Sequence, residues 1–384
     1  MVRNTNNRGF SLKDELFNKT KIAQLGARFE SVYAGFSNAQ FVKTVMKQLP
    51  SLALKQRIVC IADALAAQLP VDFEAACAVV IKALPEPLDP SKTDDDFGDF
   101  IYAPLGHYVA TRGVSKEQLT CSLSTLREIT MRFSMEDAIR PFLNEFPKET
   151  LHIMQYWALD EHYHVRRLVS EGTRPLLPWS SRIGVGQKDT LPLLDMLHAD
   201  KTRYVTRSVA NHLNDISKSD PALVIETLGR WRREGKQQSD ELAWITRHAL
   251  RTLVKQGNSD AFALLGYRPK PAITVTELSL ADNEVVVGEA LSFSFTIEAS
   301  QNESLMVDYV VTFVKAGGKT AEKVYKIKKM TLAKGEKIDL SKHHRFVEGA
   351  TTLTFYEGVH AVALQINGVR YQPVQFNLKE RRVV

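Results

Sequence analysis

Val165-Arg166-Arg167-Leu168-Val169, Val205-Thr206-Arg207-Ser208-Val209 and Ile245-Thr246-Arg247-His248-Ala249 share one pattern. An aliphatic residue is followed by Arg or Thr and then Arg, and the three central arginines lie 40 residues apart each time. Arg127 lies one further period upstream, with neighbours that fit less well. Around these stretches, up to about Tyr267, apolar residues recur at the spacing of one helix face; Leu12, Leu16, Ile22, Leu25 and Phe29 are an example. Ser115-Lys116-Glu117-Gln118 reads as a capping box, and Pro70, Pro85, Pro141, Pro178 and Pro221 punctuate helix ends. The reading is a stacked array of helix pairs.

A period of about 40–47 residues is that of HEAT-like helical repeats. Past Tyr267 the pattern changes. Arg268-Pro269-Lys270-Pro271 reads as a stiff linker. Beyond it, strand-like runs alternate with turns: Ile273–Leu280, Ala290–Glu298, Leu305–Lys315, Lys323–Lys329, Thr351–Tyr356, Val359–Ile366 and Val369–Asn377. Gly317-Gly318 and Asn367-Gly368 are hairpin turn signals. Short strands at this density predict an immunoglobulin-like sandwich, held by its core alone because it has no cysteine. The expected fold is mainly α with a β domain: an α-α superhelix of HEAT-like repeats over 1–268, then a sandwich over 272–384.

Composition narrows the function classes. The chain has 384 residues, 44% hydrophobic and 24% charged, an ordinary globular balance that excludes collagen-like and disordered classes. No apolar run approaches the roughly 20 residues that span a bilayer. Met1–Phe10 is polar and Asn-rich, unlike a signal peptide. Cys60, Cys77 and Cys121 read as reduced core thiols of a cytoplasmic protein. The net charge of +6 permits a polyanionic partner without requiring one. No phosphate-cradling glycine motif follows a strand, so no nucleotide cofactor is expected. His162 and His164 sit on different helix faces, and no Cys/His set completes a metal shell.

Ser170–Trp179 (SEGTRPLLPW), Arg207–Lys218 (RSVANHLNDISK) and Arg132–Leu143 (RFSMEDAIRPFL) resemble the AlkC branch of the AlkC/AlkD DNA glycosylases. Val307–Lys315 (VDYVVTFVK), Tyr356-Glu357-Gly358 and Leu364–Gly368 (LQING) resemble the extra immunoglobulin-like domain of that branch. The resemblance covers most of the chain and is weakest before Gly98. It implies a monomeric bacterial enzyme, acting at the nucleoid, that cups duplex DNA and needs no cofactor. It further implies excision of cationic alkylated bases such as 3-methyladenine without flipping them into a pocket.

Breaking an N-glycosidic bond passes through an oxocarbenium-like sugar, and carboxylates stabilise that cation and place the attacking water. A cationic base leaves without protonation, so the burden falls on electrostatic stabilisation. Glu136, Glu171 and Asp215 are the candidate carboxylates. Glu136 is expected near the start of a Ser134–Phe142 helix, Glu171 at the end of the helix carrying Arg167, and Asp215 two turns after Arg207. Each has a plain alternative as half of a helix-surface ion pair. Trp179, after Pro178, offers an indole face to a sugar or base, or else plugs the gap between repeats. Trp157, Trp231 and Trp244 read as core.

Arg167, Arg207 and Arg247, with Arg140, Arg174, Lys218 and Arg251, suit a phosphate-lined groove; the alternative is pairing with acidic residues of neighbouring repeats. Residues 157–255 carry sixteen Lys/Arg against twelve Asp/Glu, so periodicity weighs more than charge in this reading. Lys326 and Lys328, in the run Lys315, Lys319, Lys323, Lys326, Lys328 and Lys329, form a solvated strand edge or a second DNA contact. Two other functions compete: a non-catalytic protein that binds damaged or branched DNA by shape, and a protein–protein scaffold.

Overall fold

The computed structural model describes residues 11–91, 97–349 and 354–380. Met1–Phe10 and the first three residues of the expected strand Thr351–Tyr356 lie outside them. The chain forms two compact units, one of residues 1–216 and 234–248, the other of residues 217–233 and 249–384.

The first unit is helical. Its repeats are visible where helix starts are fixed by aspartates 40 residues apart. Asp160 Oδ1 accepts from the His162 backbone N–H at 2.9 Å ahead of the Tyr163–Gly172 helix. Asp200 Oδ1 accepts from the Thr202 N–H at 2.8 Å ahead of the Arg203–Ile216 helix. Each aspartate is also bound by an arginine of the preceding repeat: Arg127 holds Asp160 at 2.6 Å, and Arg166 grips both oxygens of Asp200. Arg203 and Glu241 form the next rung. Arg166–Asp200 is buried on both sides, and such a pair costs about 3–5 kcal/mol to break from one side. The 40-residue spacing from Asp160 to Asp200 is therefore a spacing of capping carboxylates, each neutralised by an arginine upstream of it.

Val205, Val209, Leu213 and Ile216 bury one stripe of the Arg203–Ile216 helix, and Val165, Leu168 and Val169 bury that of Tyr163–Gly172. The two helices pack along each other. Gly172 is needed at the close approach, because a Cβ there would sit 2.6 Å from the Ile139 side chain. The capping box forms by half: Ser115 Oγ accepts from the Gln118 N–H at 3.3 Å, and the Leu119–Thr130 helix begins after it. Cys77 is buried and burial pushes its thiol up to about 12, whereas Cys60 and Cys121 are only half-buried rather than core. Among the described residues, no helix is long and apolar enough to cross a membrane.

The second unit contains the sandwich: β1 (Ile273–Val275), β2 (Ser279–Leu280), β3 (Glu284–Val286), β4 (Ala290–Ala299), β5 (Glu303–Val314), β6 (Thr320–Leu332), β7 (Lys337–Arg345), β8 (Gly358–Ile366), β9 (Val369–Arg370) and β10 (Val374–Lys379). β4 carries β7 along one side and β1 and β2 in succession along the other. The other sheet runs β3-β10-β8-β5-β6, with β9 beside β8. Leu291, Phe293, Phe295 and Ile297 meet Val307, Tyr309, Val311, Phe313, Val362 and Leu364 between the sheets. The turn at Gly317-Gly318 has φ of 72° and 74°, and the Asn367-Gly368 turn has 45° and 84°, as hairpins of two left-handed residues require.

The expected boundary at Arg268–Pro271 is not where packing divides the chain. The helical segments 217–233 and 249–268 belong with the sandwich. The outer face of its larger sheet, with Met306, Asp308, Val310, Ala363 and Gln365, is buried too. Gln365 Nε2 donates to the carbonyls of Val254 and Lys255, and the backbones of Gly257 and Gly368 touch so closely that a Cβ on either would clash. Asn367 Nδ2 donates to the Arg268 carbonyl at 3.0 Å, so the Pro-rich segment is pinned rather than a free tether.

Burial pushes the Asp308 carboxyl up to about 6 from 3.8, against the pull of Lys326, Lys329 and Lys255. A carboxyl raised on folding penalises the native state above that value, and the penalty fades as pH falls toward 3.8. Asp308→Asn is expected to stabilise the protein at pH 8 by an amount on the order of 2–3 kcal/mol and to change little at pH 4. Equal shifts in thermal midpoint at the two pH values would contradict the assignment.

Candidate active site

Glu171 ends the Tyr163–Gly172 helix, and Asp215 lies in the last turn of the Arg203–Ile216 helix. The packing of those helices brings the two carboxylates onto one guanidinium. Arg174 Nη1 donates to Glu171 Oε1 at 2.6 Å, and its Nε donates to Asp215 Oδ2 at 2.9 Å. Ser208 Oγ donates to Glu171 Oε2 at 2.6 Å and lies 3.0 Å from the Ser170 hydroxyl. Arg167 reaches Glu136 Oε2 at 2.7 Å and Glu171 Oε2 at 3.6 Å, and its guanidinium stands 4.5 Å from the centre of the Tyr204 ring. Ser134 Oγ donates to Glu136 Oε2 at 2.6 Å. The chain Glu136–Arg167–Glu171–Arg174–Asp215 is thus one network of three carboxylates and two guanidinium groups.

Burial pushes the Glu171 carboxyl up, but Arg167, Arg174 and the Ser208 hydroxyl outweigh it and hold the group ionised, below its ordinary value. Burial likewise works against the charge on Arg167 and Arg174, and their carboxylate partners raise both above the ordinary guanidinium range. His212 is fully buried and its Nδ1–H donates to the Ser170 carbonyl at 3.0 Å. Burial lowers it to about 4, so it is neutral at pH 7.

Three expectations are corrected here. Arg140, Arg167 and Arg174, candidates for a phosphate groove, all donate inward, Arg167 and Arg174 in the alternative pairing with acidic residues. Arg140 is fully buried and donates to backbone carbonyls, while Arg167 and Arg174 are occupied by the carboxylates. The reason is the planar fork of donors, which satisfies helix-end carbonyls and carboxylates as readily as phosphates. Glu136 sits in a turn, because the helix starts only at Arg140. Asp215 does not share a face with Arg207, which is half-buried; the residue on its face is Ser208, seven before it.

Of the other expected contacts, Arg247 is exposed on the first unit. Lys218, Lys326 and Lys328 are exposed and Arg251 half-buried, all on the second unit, with the strand lysines on β6, the edge of its sheet. Trp179 is 77% exposed in the segment after Thr173, with φ of 66°. Lys55 Nζ donates to its carbonyl. Trp157 and Trp231 are core. Trp244 is instead half-buried, stacked between Arg203 and His248. His162 caps its own helix, its Nδ1 accepting from the His164 N–H at 3.2 Å. Among the described residues, no cluster of three metal-ligating side chains occurs. Sequence reading missed Ser208, His212 and the cation-facing role of Tyr204. The signal was present: Tyr204, Ser208, His212 and Asp215 follow a helical i, i+4, i+8, i+11 spacing.

Fold and site together define a helical-repeat protein with a buried carboxylate–arginine network and an appended immunoglobulin-like sandwich. A family model described as the C-terminal Ig-like domain of the uncharacterised protein YhaZ matches residues 274–380. The uncharacterized protein YhaZ of Bacillus subtilis (strain 168) is 32% identical over 358 residues, 92% of this chain and 96% of that protein. A solved structure of Pseudomonas fluorescens alkylpurine DNA glycosylase AlkC, bound to DNA containing an abasic site analog, superposes with a TM-score of 0.85. It is 33% identical and covers 96% of this chain and all of that one. The chain belongs to the AlkC type of the AlkC/AlkD family of HEAT-like-repeat DNA glycosylases.

Proposed function

We propose that this protein is a monofunctional DNA glycosylase acting in alkylation repair. It hydrolyses the N-glycosidic bond of cationic alkylated bases, of the 3-methyladenine kind, in duplex DNA and leaves an abasic site. The observation that carries the reading is the network Glu136–Arg167–Glu171–Arg174–Asp215. It gathers three carboxylates, of which Glu171 and Asp215 are buried and poorly screened. Such a site favours a developing sugar cation. Glu171, held ionised, has no proton to give a leaving base. That suits a base which already carries positive charge, and it argues for lesions such as 3-methyladenine over neutral ones. The exposed Trp179 supplies an aromatic face for the sugar or base at the surface, which fits excision without base flipping. In the relative AlkC, the bound DNA carries an abasic site analog, the form such a reaction leaves.

Water is the nucleophile in this reading, and Asp215 and Glu171 are its orienting and cation-stabilising groups, with Glu136 tuning Arg167. The protein acts as a cytoplasmic monomer. The test is incubation with methylated duplex DNA and chromatography of released bases. Release of 3-methyladenine is expected; binding to the duplex with no free base at any enzyme excess would refute the catalytic reading.

The phosphate contacts fall to the basic residues of the expected set that the structure does not bury: Arg207, Arg247, Lys218, Arg251, Lys326 and Lys328. Arg207→Ala is expected to weaken binding to damaged and undamaged duplex alike. The slope of log K against log salt should fall by about one unit. An unchanged slope would assign Arg207 to pairing within the repeats.

A further inference from the structure

Trp179 combines two features that a packing residue does not need. Its ring is 77% exposed, and its backbone has φ of 66°, a left-handed conformation that is strained for a bulky residue. Such a conformation persists only where the surroundings impose it. The surroundings here converge on Arg140, whose side chain is fully buried at the start of the Arg140–Glu145 helix. Its Nη1 donates to the carbonyls of Gly172 at 2.8 Å and Arg174 at 3.0 Å. Its Nε donates to the Ser181 carbonyl at 2.6 Å. One guanidinium thus ties the backbone of Arg174, whose side chain joins Glu171 to Asp215, to the backbone two residues beyond Trp179. Asn144, one helical turn along, holds the next stretch: its Nδ2 donates to the Arg182 carbonyl at 3.1 Å and its Oδ1 accepts from the Gly184 N–H at 2.9 Å.

We propose that Arg140 is a positioning residue, which fixes the Trp179 indole relative to the Glu171–Arg174–Asp215 group by clamping both ends of the loop between them. This role rests on the glycosylase reading for its effect on rate. A buried guanidinium is chosen over lysine because three carbonyls must be bound at once from one plane. With Lys at 140, only part of that set is reached, and the loop gains freedom while its side chains stay intact.

The test is a double-mutant cycle read in single-turnover base release, joined to fluorine NMR of the full chain labelled with 5-fluorotryptophan. The protein has four tryptophans, so Trp179 is assigned by its loss in Trp179→Phe. Arg140→Lys is expected to slow release about tenfold with duplex affinity unchanged, and to cost at least about threefold less in a Trp179→Ala background. Its Trp179 resonance should sharpen and move toward that of free fluorotryptophan, while the other three stay in place. Equal losses in the two backgrounds, or an unmoved Trp179 line, overturn the proposal. If Arg140→Lys does not fold, Asn144→Ala loosens the same loop from the surface, and the same two readouts decide. If the parent releases no base, the glycosylase reading fails, and the fluorine spectrum alone decides whether Arg140 orders Trp179.

Discussion

Asp215→Asn is expected to slow base release at least about a hundredfold, equivalent to about 2.7 kcal/mol of barrier, while leaving duplex affinity within about twofold. The substitution keeps the shape of the side chain and an oxygen that accepts from Arg174 Nε, so the bond now measured at 2.9 Å survives. What it removes is negative charge in a buried site, where little water screens it. Arg174 keeps Glu171 as a partner at 2.6 Å, so its guanidinium is not stranded and the fold should hold. Glu171→Gln is a poorer test for the same reason turned round. It weakens the pairing of both Arg167 and Arg174 and leaves one oxygen where Arg174 and Ser208 now use two, and a lost buried pair costs about 3–5 kcal/mol of stability. Single-turnover release from methylated duplex by the Asn variant within about twofold of the parent would remove Asp215 from the mechanism.

Deleting Ala272–Val384 should leave no cooperatively folded counterpart of the second unit, and the truncated chain is expected to aggregate. The pattern change at Pro269–Pro271 argues for two independent pieces, but the packing does not. Residues 217–233 and 249–268 form one compact unit with the sandwich. Its helical part includes the fully buried Trp231 and Phe262. The Phe262 ring lies within 2.8 Å of where a Cβ of Gly368 would stand. Removing the sheets exposes that surface and leaves the carbonyls of Val254 and Lys255 without Gln365. Soluble yield and the thermal unfolding of residues 1–271 check this. A soluble product with a sharp transition within a few degrees of the parent would show that the helical segments stand alone. Loss of activity in such a truncation then says nothing about DNA contact by the sandwich. Reversing the charge of Lys326, Lys328 and Lys329, which are exposed on β6, is the cleaner probe of that contact.

The fold class was legible because its two periodicities are strong and local: a 3.6-residue stripe before Tyr267 and alternation after it. The strand Lys337–Arg345 escaped notice because only Ile338 and Leu340 mark its inward face among polar residues. The division by packing falls away from the expected 1–268 and 272–384 for a different reason. A proline-rich segment reports backbone stiffness, not which surfaces are buried, and the buried outer face with Asp308 and Gln365 reads in sequence as a polar strand face. At the site, the resemblance singles out Glu136, Glu171 and Asp215, and the 40-residue period singles out Arg167, Arg207 and Arg247. The direction in which each arginine points was not readable, since Arg140 lies buried among carbonyls from Gly172 to Ser181 that only the fold brings near it. Ser208 and His212 were missed although their spacing from Asp215 was available, because hydroxyls and a lone imidazole have no chemistry to announce until the neighbouring helix is in place.

The rungs Arg127–Asp160, Arg166–Asp200 and Arg203–Glu241 each close a charge of one repeat with a charge of the next. The repeats are therefore not interchangeable bricks. A repeat copied or lost in evolution must keep this ladder closed: its rungs join residues 33, 34 and 38 apart, so a few residues can enter the loops, but losing part of a repeat strands an arginine or its acidic partner. Length variation in such a chain is confined to the connecting loops, and the array lengthens or shortens only in whole steps. A protein built this way keeps the spacing of its helix pairs constant over long divergence while its surface changes freely, which is the property a reader of a regularly spaced polymer requires.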